Sequence, residues 1–544
     1  MSGGKALRLG DASLVADRRA WEEAGFELPS FDRAAVRART RASPEWLHFG
    51  AGNIFRAFPA AIQQRLLDKG ESGTGIVVAE GFDYEIIEKA YRPFDELSTL
   101  VLLKADGAIA KRVIGSVVES LAADPARGDW ARLVEVFTGP SLKMASFTIT
   151  EKGYALVDSR GSPLPEVEAD LAGGPARPRS IMGKVAALCL ARHESGAMPL
   201  ALVSLDNCSR NGDKLGDAVR SFARAWSAAG LAPAGFPRYV EDPASLSFPW
   251  TMIDKITPRP DEAVRALLER EGYEGAEILV TARKTYVSSF VNAEEKEYLV
   301  VEDSFPNGRP RLEAGGVIFA DRGTVDRVEK MKVCTCLNPL HTALAIFGCL
   351  LGYKTIHDEM RDADLVDLVE GIGYVEGLPV VVDPGIMDPR AFLDDVLRER
   401  FPNPFMPDSP QRIATDTSQK LPIRFGETIK AYMARPDLSA RDLKFIPLVL
   451  AAWCRYLMGV DDEGKTFEPS PDPLLEGLRA RFAPLRLGDA GPFRELLAPL
   501  LSDARVFGVD LYEAGLGERV EDNFTELIAG PGAVRSTLKR SLGR

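Results

Sequence analysis

The sequence predicts two domains of different class, α/β up to about residue 325 and mostly α-helical beyond it. Three observations predict this. At 544 residues the chain is too long for one hydrophobic core. Near its start, the apolar run Trp46-Leu-His-Phe is broken by Gly50-Ala-Gly52, followed by helical periodicity from Phe55 to Leu67, then by a second apolar run, Gly75–Glu80. Strand, glycine turn, helix and a strand ending in an acid is the order of a Rossmann-type dinucleotide-binding unit. From Met331 onward the period changes to that of helices, with Pro and Asp turns between them.

The elements follow in that order. Residues 1–43 are charged and weakly patterned and read as a short helical arm. Residues 44–325 read as the Rossmann-type domain. Further strands are expected at Ser98–Lys104, Met144–Thr150 and Leu200–Ser204, a helix at Met182–His193, and hairpin-like material at Ala276–Val301. Residues 326–544 read as the α-helical domain, with helices at Thr342–Leu351, Leu365–Val375, Arg390–Arg400, Leu443–Leu457 and Pro473–Phe482. Asn338-Pro339 resembles a helix start, Asn as cap and Pro at the first position.

Composition narrows the function classes. The chain is 45% hydrophobic and 27% charged, as in an ordinary soluble enzyme. A net charge of −12 argues against nucleic acid or an anionic membrane as partner. Six scattered cysteines fit free thiols in a reducing compartment, and Cys334-Thr-Cys336 lacks the second pair a zinc site needs. The N-terminus has no signal-type apolar region and no apolar run reaches spanning length, so a cytoplasmic protein is expected. The four histidines show no metal-binding spacing, so no metal is expected.

The densest chemistry lies in Lys332-Val-Cys-Thr-Cys-Leu-Asn338-Pro-Leu-His341, which leads into an apolar helix. Polar groups entering such a segment need partners or a task. A lysine becomes a base where burial or neighbouring cations favour the free amine, an amide N–H stabilises an alkoxide, and a neutral imidazole orients a hydroxyl. The bland alternative is a capping asparagine and a satisfied core histidine. With the boundary near 325, the motif falls where two domains meet, a usual place for small-molecule sites.

In the first half, Gly50 and Gly52 begin a G-x-G turn whose third glycine is replaced by Phe55. The glycines allow a pyrophosphate close to the helix N-terminus, Asn53 opens that helix, and Arg56 can add a cation. Glu80 and Asp83 are candidates for the adenosine ribose, which favours NAD over NADP, although Asp83 reads more readily as a solvated loop acid. Asn207 and Asn211 follow a strand in Ser204–Gly212, where α/β enzymes place their sites, and Asp254-Lys255 sits between apolar residues as a site pair or a structural ion pair. Arg412 and Lys420 lie in a polar stretch that otherwise reads as a surface loop.

Taken together, these segments resemble the mannitol dehydrogenase family of polyol-specific long-chain dehydrogenases/reductases. The resemblance rests on Phe49–Ala57, Thr148-Ile-Thr150-Glu151-Lys152-Gly-Tyr, Ser204–Gly212, Phe248–Pro258, Lys332–His341 and Arg412–Lys420, in order over about residues 44–530. It implies a zinc-independent, NAD(P)-dependent oxidation of a secondary alcohol in an acyclic sugar derivative, or the reverse reduction. It also implies Lys332 as general acid/base, Asn211 and Asn338 on the carbinol oxygen, and His341, Arg412 and Lys420 on the substrate; Asn207 and Asp254 are further candidates for binding substrate. Thr150, Glu151 and Lys152 are expected on the cofactor side.

Two departures stand out. Six positions separate Lys332 from Asn338, where the family has five, so one residue is inserted among Cys334–Cys336; the Phe248–Pro258 signature carries Ile253 and Lys255 where Val and Arg are usual. Phe290–Tyr298, Phe305–Pro310 and Asn338–His341 resemble the hexuronate branch. That branch implies reduction of D-fructuronate to D-mannonate with NADH, or of D-tagaturonate to D-altronate. Arg412, Lys420 and Arg424 are candidate partners for the uronate carboxylate. The alternatives are a mannitol or arabinitol 2-dehydrogenase, or a catalytically silent NAD-binding sensor. A monomer or homodimer is expected.

Overall fold

The computed structural model describes residues 6–544. The chain divides into two compact units, the first extending to Lys104 and then over Ala108–Asp326, the second over Arg327–Arg544 with the turn Ala105–Gly107.

The first unit is built on a six-stranded sheet. Its strands are β1 (Trp46–Phe49), β2 (Ile76–Glu80), β3 (Val117–Ala122), β4 (Met144–Phe147), β5 (Leu200–Ser204) and β6 (Leu246–Ser247). Their order is β6-β5-β4-β1-β2-β3 and every pairing is parallel, Trp46 lying opposite both Ile76 and Met144. Side chains alternate between two cores, as a pleated strand requires. Leu47, Phe49, Val77 and Ala79 enter one, with the helices Asp129–Thr138, Ile181–Glu194 and Asn211–Ala228. Trp46, Ile76 and Val78 enter the other, with the helices Asn53–Ala57 and Pro59–Asp68. Burial on both faces explains why these strands read as continuous apolar runs. His48 is a satisfied core histidine: its ring bonds Ser146 Oγ at 2.6 Å and Thr148 Oγ1 at 2.9 Å, and burial lowers its pKa to about 3.

The sequence reading differs from the fold in three places. The N-terminal segment does form helices, but it also contributes strands, Leu7–Arg8 pairing with Tyr273–Glu274 and Phe26–Glu27 with Lys111–Arg112. The span 276–301 is not one hairpin. Only Leu279–Val280 and Tyr286–Val287 pair with each other; Phe290–Glu294 runs parallel to Ser98–Leu103, and Tyr298–Glu302 pairs with Thr251–Asp254. Apolar alternation marks a strand but does not name its partner. Finally, the stretch Arg322–Leu351 is long and apolar enough to pass as a membrane span by composition, yet it is mostly buried within the protein.

The second unit is helical, with no strand longer than an isolated bridge among its residues. At its centre lie the helices Asn338–Leu351 and Phe445–Tyr456, which pack on each other; the latter also packs on Gly517–Leu527. Glu376 closes the start of Phe445–Tyr456 by accepting from the N–H groups of Lys444, Phe445 (2.7 Å) and Ile446 (2.8 Å). An acid there answers both the orphan donors and the positive end of the helix. Four segments wind as π turns: Met331–Cys336, Gly371–Gly377, Val396–Arg400 and Pro422–Gly426. Such turns are rare and gather at functional sites.

Candidate active site

In the first unit, the chain order reverses between β1 and β4, so the crevice at their carboxyl ends is where a doubly wound sheet binds its ligand. Two loops border it, Gly50–Gly52 after β1 and Thr148–Lys152 after β4. Gly50 has φ +103°, and a Cβ there would lie 2.2 Å from Thr148 O, so glycine is required. Gly52 is small for another reason. A Cβ at Gly52 would meet no atom within 4 Å, and the residue precedes the helix Asn53–Ala57. The backbone there is open to a close-approaching phosphate, which fits a dinucleotide. Across the crevice, Thr150 is held at φ +65° by Asp206, whose carboxylate accepts from the N–H groups of Ile149 and Thr150 (both 2.9 Å) and from Tyr154 Oη (2.6 Å). Thr150, Glu151 and Lys152 are exposed at this rim, with Glu151 paired to Lys214 at 2.9 Å.

Several residues singled out in the sequence have other tasks here. Arg56 is buried, donating to Ser288 O at 2.7 Å and to Asn53 Oδ1 at 2.9 Å; it anchors its helix rather than facing a phosphate. Both oxygens of Glu80 are taken by backbone N–H groups, Oε2 by Ala51 (2.8 Å), Oε1 by Phe82 (2.8 Å) and Asp83 (3.1 Å). Burial, the larger influence, raises its pKa against those bonds. Asp83 is buried and accepts from Thr281 Oγ1 at 2.6 Å. Neither acid is therefore placed as an open ribose ligand.

The amide of Asn211 is fully used as well. Its Nδ2 lies within bonding distance of Ser204 O (3.3 Å), Asp206 O (3.0 Å), Thr251 O (3.1 Å) and Thr251 Oγ1 (2.8 Å), and its Oδ1 accepts from Thr251 N at 3.0 Å. Two hydrogens cannot serve a further acceptor. Asn211 stitches the end of β5 to the strand Thr251–Asp254 and has no donor left for a carbinol oxygen. Asn207 is exposed and Asp254 buried, while Lys255 pairs with Glu297 at 2.8 Å.

In the second unit the balance is reversed. Lys332 is 3% exposed and sits on the π turn Met331–Cys336, closed by Leu337 N donating to Lys332 O at 3.1 Å. A π turn takes one residue more than an α turn. The extra residue of the sequence falls on that turn, between Lys332 and Asn338. Asn338 is the first residue of its helix rather than the cap, a position Leu337 holds; its half-buried side chain has no hydrogen bond within the described residues.

One turn on, His341 packs against Phe401, ring centroids 5.0 Å apart, and its Nε2 lies 3.4 Å from Asp408 Oδ2, too poorly aligned to be a hydrogen bond. Burial first, then Arg424, Arg412, Arg400 and Lys420, lower its pKa to about 3, so the ring is neutral at working pH. The same surroundings act on Lys420, which burial and Arg424 bring to about 8; its Nζ donates to Ile413 O at 3.2 Å and to Thr415 O. Arg412 is 61% exposed and pairs with Asp408. This is an electropositive site around an uncharged imidazole, on the helix that carries the buried lysine. It can move a proton at a hydroxyl and hold an anion.

Residues 44–314 match the mannitol dehydrogenase Rossmann domain, and residues 324–528 the mannitol dehydrogenase C-terminal domain. The chain belongs to the mannitol dehydrogenase family. Within that family it is 55% identical to the D-mannonate oxidoreductase of Thermotoga maritima over 532 residues, 97% of this chain and 98% of that one. It is 31% identical to the mannitol 2-dehydrogenase of Cereibacter sphaeroides, over 83% of this chain and 87% of the relative. Among solved structures, the Pseudomonas fluorescens mannitol 2-dehydrogenase ternary complex with NAD and D-mannitol superposes with a TM-score of 0.70 at 27% identity, covering 99% of this chain and all of that one.

Thr342 and Asp408 shape these sites without having been singled out in the sequence, and Asp206 stood out only as the acid beside Asn207 and Asn211 at a strand end. Asp408 had a signal, since an acid four residues before Arg412 suits a helical ion pair. Asp206 and Thr342 act through backbone neighbours that only the fold supplies.

Proposed function

We infer that this protein interconverts D-fructuronate and D-mannonate, reducing the ketone with NADH or oxidising the alcohol with NAD. It is an NAD-dependent oxidoreductase acting on a CH–OH group. The observation that carries the substrate reading is the cluster of Arg400, Arg412, Lys420 and Arg424 about the neutral His341. A sugar acid brings a carboxylate that can pair with this charge, and a neutral polyol does not. The 55% identity to a D-mannonate oxidoreductase supports the same reading.

Gly50, Ala51, Gly52 and Asn53 would hold the pyrophosphate of NAD, with Thr150 to Lys152 at the rim; the nicotinamide supplies or accepts the hydride. This chain handles the proton. Lys332 gives a proton to the carbinol oxygen during reduction and takes it back during oxidation. Asn338 donates from its open amide to that oxygen, lowering the cost of alkoxide character. His341, held neutral, orients a substrate hydroxyl. No step needs a metal ion. The charge of −12 supports action on a small molecule rather than on nucleic acid or an anionic membrane.

A substrate panel with NADH and chelator tests the reading. D-Fructuronate should be reduced with a kcat/KM at least about 100-fold above that for D-fructose, the order of discrimination one buried charged contact gives. Preference for the neutral ketose, or loss of activity to the chelator with recovery on adding zinc, would contradict it.

A further inference from the structure

Of the three cations that the sequence offers for a uronate carboxylate, Arg412, Lys420 and Arg424, the structure distinguishes Arg424. It sits on the π turn Pro422–Gly426, which packs against the π turn of Lys332. Its Nη1 donates to Thr342 Oγ1 at 2.5 Å, and that hydroxyl donates to Asn338 O at 3.0 Å. The guanidinium is thus fixed beside the first turn of the Asn338–Leu351 helix, one turn beyond Asn338. It is half-buried, and among the described residues no carboxylate pairs with it. Arg412 makes the contrast, being mostly exposed and paired with Asp408. A guanidinium carries five N–H donors in a planar fork, and only one contact is made here, to a neutral hydroxyl. Withdrawing such a cation from water without an anion is costly, and burial alone brings its pKa to about 10.

We propose that Arg424 binds the carboxylate of the hexuronate substrate and selects a sugar acid over a neutral polyol. The inference rests on the substrate reading given above. Its geometry follows from the helix. Asn338 and Thr342 are four residues apart on the helix, an advance of about 6 Å. In D-fructuronate four C–C bonds separate the ketone carbon from the carboxyl carbon, a span of about 5 Å in an extended chain. With the reacting oxygen at Asn338, the far end of the molecule reaches the level of Thr342, where the free side of the guanidinium fork stands. A carboxylate there would receive the two parallel N–H bonds that arginine, and not lysine, can give.

The test is steady-state kinetics on the full chain. Arg424→Gln should raise the KM for D-fructuronate by about 10- to 100-fold, the scale of a lost charged hydrogen bond, with kcat lowered less than about threefold. Arg424→Lys should recover part of the loss. A purely structural role would instead lower kcat and the melting temperature together while leaving KM in place. A KM within about threefold of the wild type, in an enzyme that reduces D-fructuronate, overturns the assignment and leaves the proposed function standing. A wild-type enzyme that reduces neutral ketoses and ignores D-fructuronate overturns both. Should Arg424→Gln not fold, Arg424→Lys carries the decision: a KM raised about tenfold supports the proposal, and an unchanged KM overturns it.

Discussion

The glycine loop of the first unit and the Lys332 turn of the second are both rich in polar residues that stood out against apolar surroundings, yet they use them in opposite ways. Around the glycine loop the polar side chains are bonded to the protein itself. Arg56 holds Ser288 O, Glu80 takes three backbone N–H groups, and Asn211 is fully engaged with Ser204, Asp206 and Thr251. On the Lys332 helix the side chains are left short of partners. Among the described residues the Asn338 side chain makes no hydrogen bond, His341 Nε2 is buried without one, and Arg424 has a single neutral acceptor. Buried polar groups in folded proteins are nearly always satisfied, so an unbonded imidazole with an open amide and an unpaired guanidinium beside it is a candidate contact for a ligand. The first region offers a shaped backbone; the second offers unfinished side-chain chemistry.

The largest effect that can break this comparison is at Lys332. Lys332→Ala should lower kcat by about 10²- to 10⁴-fold in both directions while NADH affinity, measured by fluorescence titration, changes little. Near-normal turnover in that variant would move the proton transfer elsewhere, Lys330 or Lys420 being the alternatives.

A smaller effect comes from Lys420. Its pKa of about 8 means that its charge is present below that pH and fades above it. The KM for the uronate should therefore climb by about two- to fivefold between pH 7 and pH 9, and Lys420→Arg should flatten the rise. An unvarying KM in the wild type would show that this charge does not reach the substrate.

The smallest effect concerns stability alone. Glu359 is fully buried, neither of its carboxyl oxygens has a partner, and burial raises its pKa well above the usual carboxylate range. A folded-state pKa above the unfolded value means that the folded protein binds the extra proton. The contribution of Glu359 to stability should thus be greatest below about pH 4.3 and decline as pH rises toward the folded pKa. Glu359→Gln should remove that decline and raise the denaturation midpoint at pH 7. A variant less stable than the wild type, with the same pH slope, would show that the carboxyl is ionised and paired.

How much of this was legible follows the same division. The strands of the main sheet announced themselves because Trp46–Phe49, Ile76–Glu80 and Leu200–Ser204 are buried on both faces and so are apolar at almost every position. The long helices of the second unit were legible from their period. Strand partners were not, since the alternation within Phe290–Glu294 does not contain its pairing with Ser98–Leu103. In the site, Lys332, Asn338 and His341 were readable because a lysine, an amide and an imidazole open a segment that is otherwise core. The extra residue after Lys332 was visible as a departure in spacing, but its place on a π turn depends on the i-to-i+5 bond from Leu337 to Lys332. Asn211 and Glu80 misled because sequence shows a polar side chain without showing which backbone groups it has already found.

The two asparagines test the central contrast most directly, through kcat and melting temperature measured side by side on Asn338→Ala and Asn211→Ala. Asn338→Ala should lose about 10²-fold or more in kcat, as when one donor to a developing oxyanion is removed, with its melting temperature within about 2 °C of the wild type. Asn211→Ala should lose about 2–4 kcal/mol of stability, several buried backbone partners being orphaned at once, while the folded fraction retains kcat within about threefold. The reverse pattern, a stable and inactive Asn211→Ala beside an active Asn338→Ala, would contradict the account.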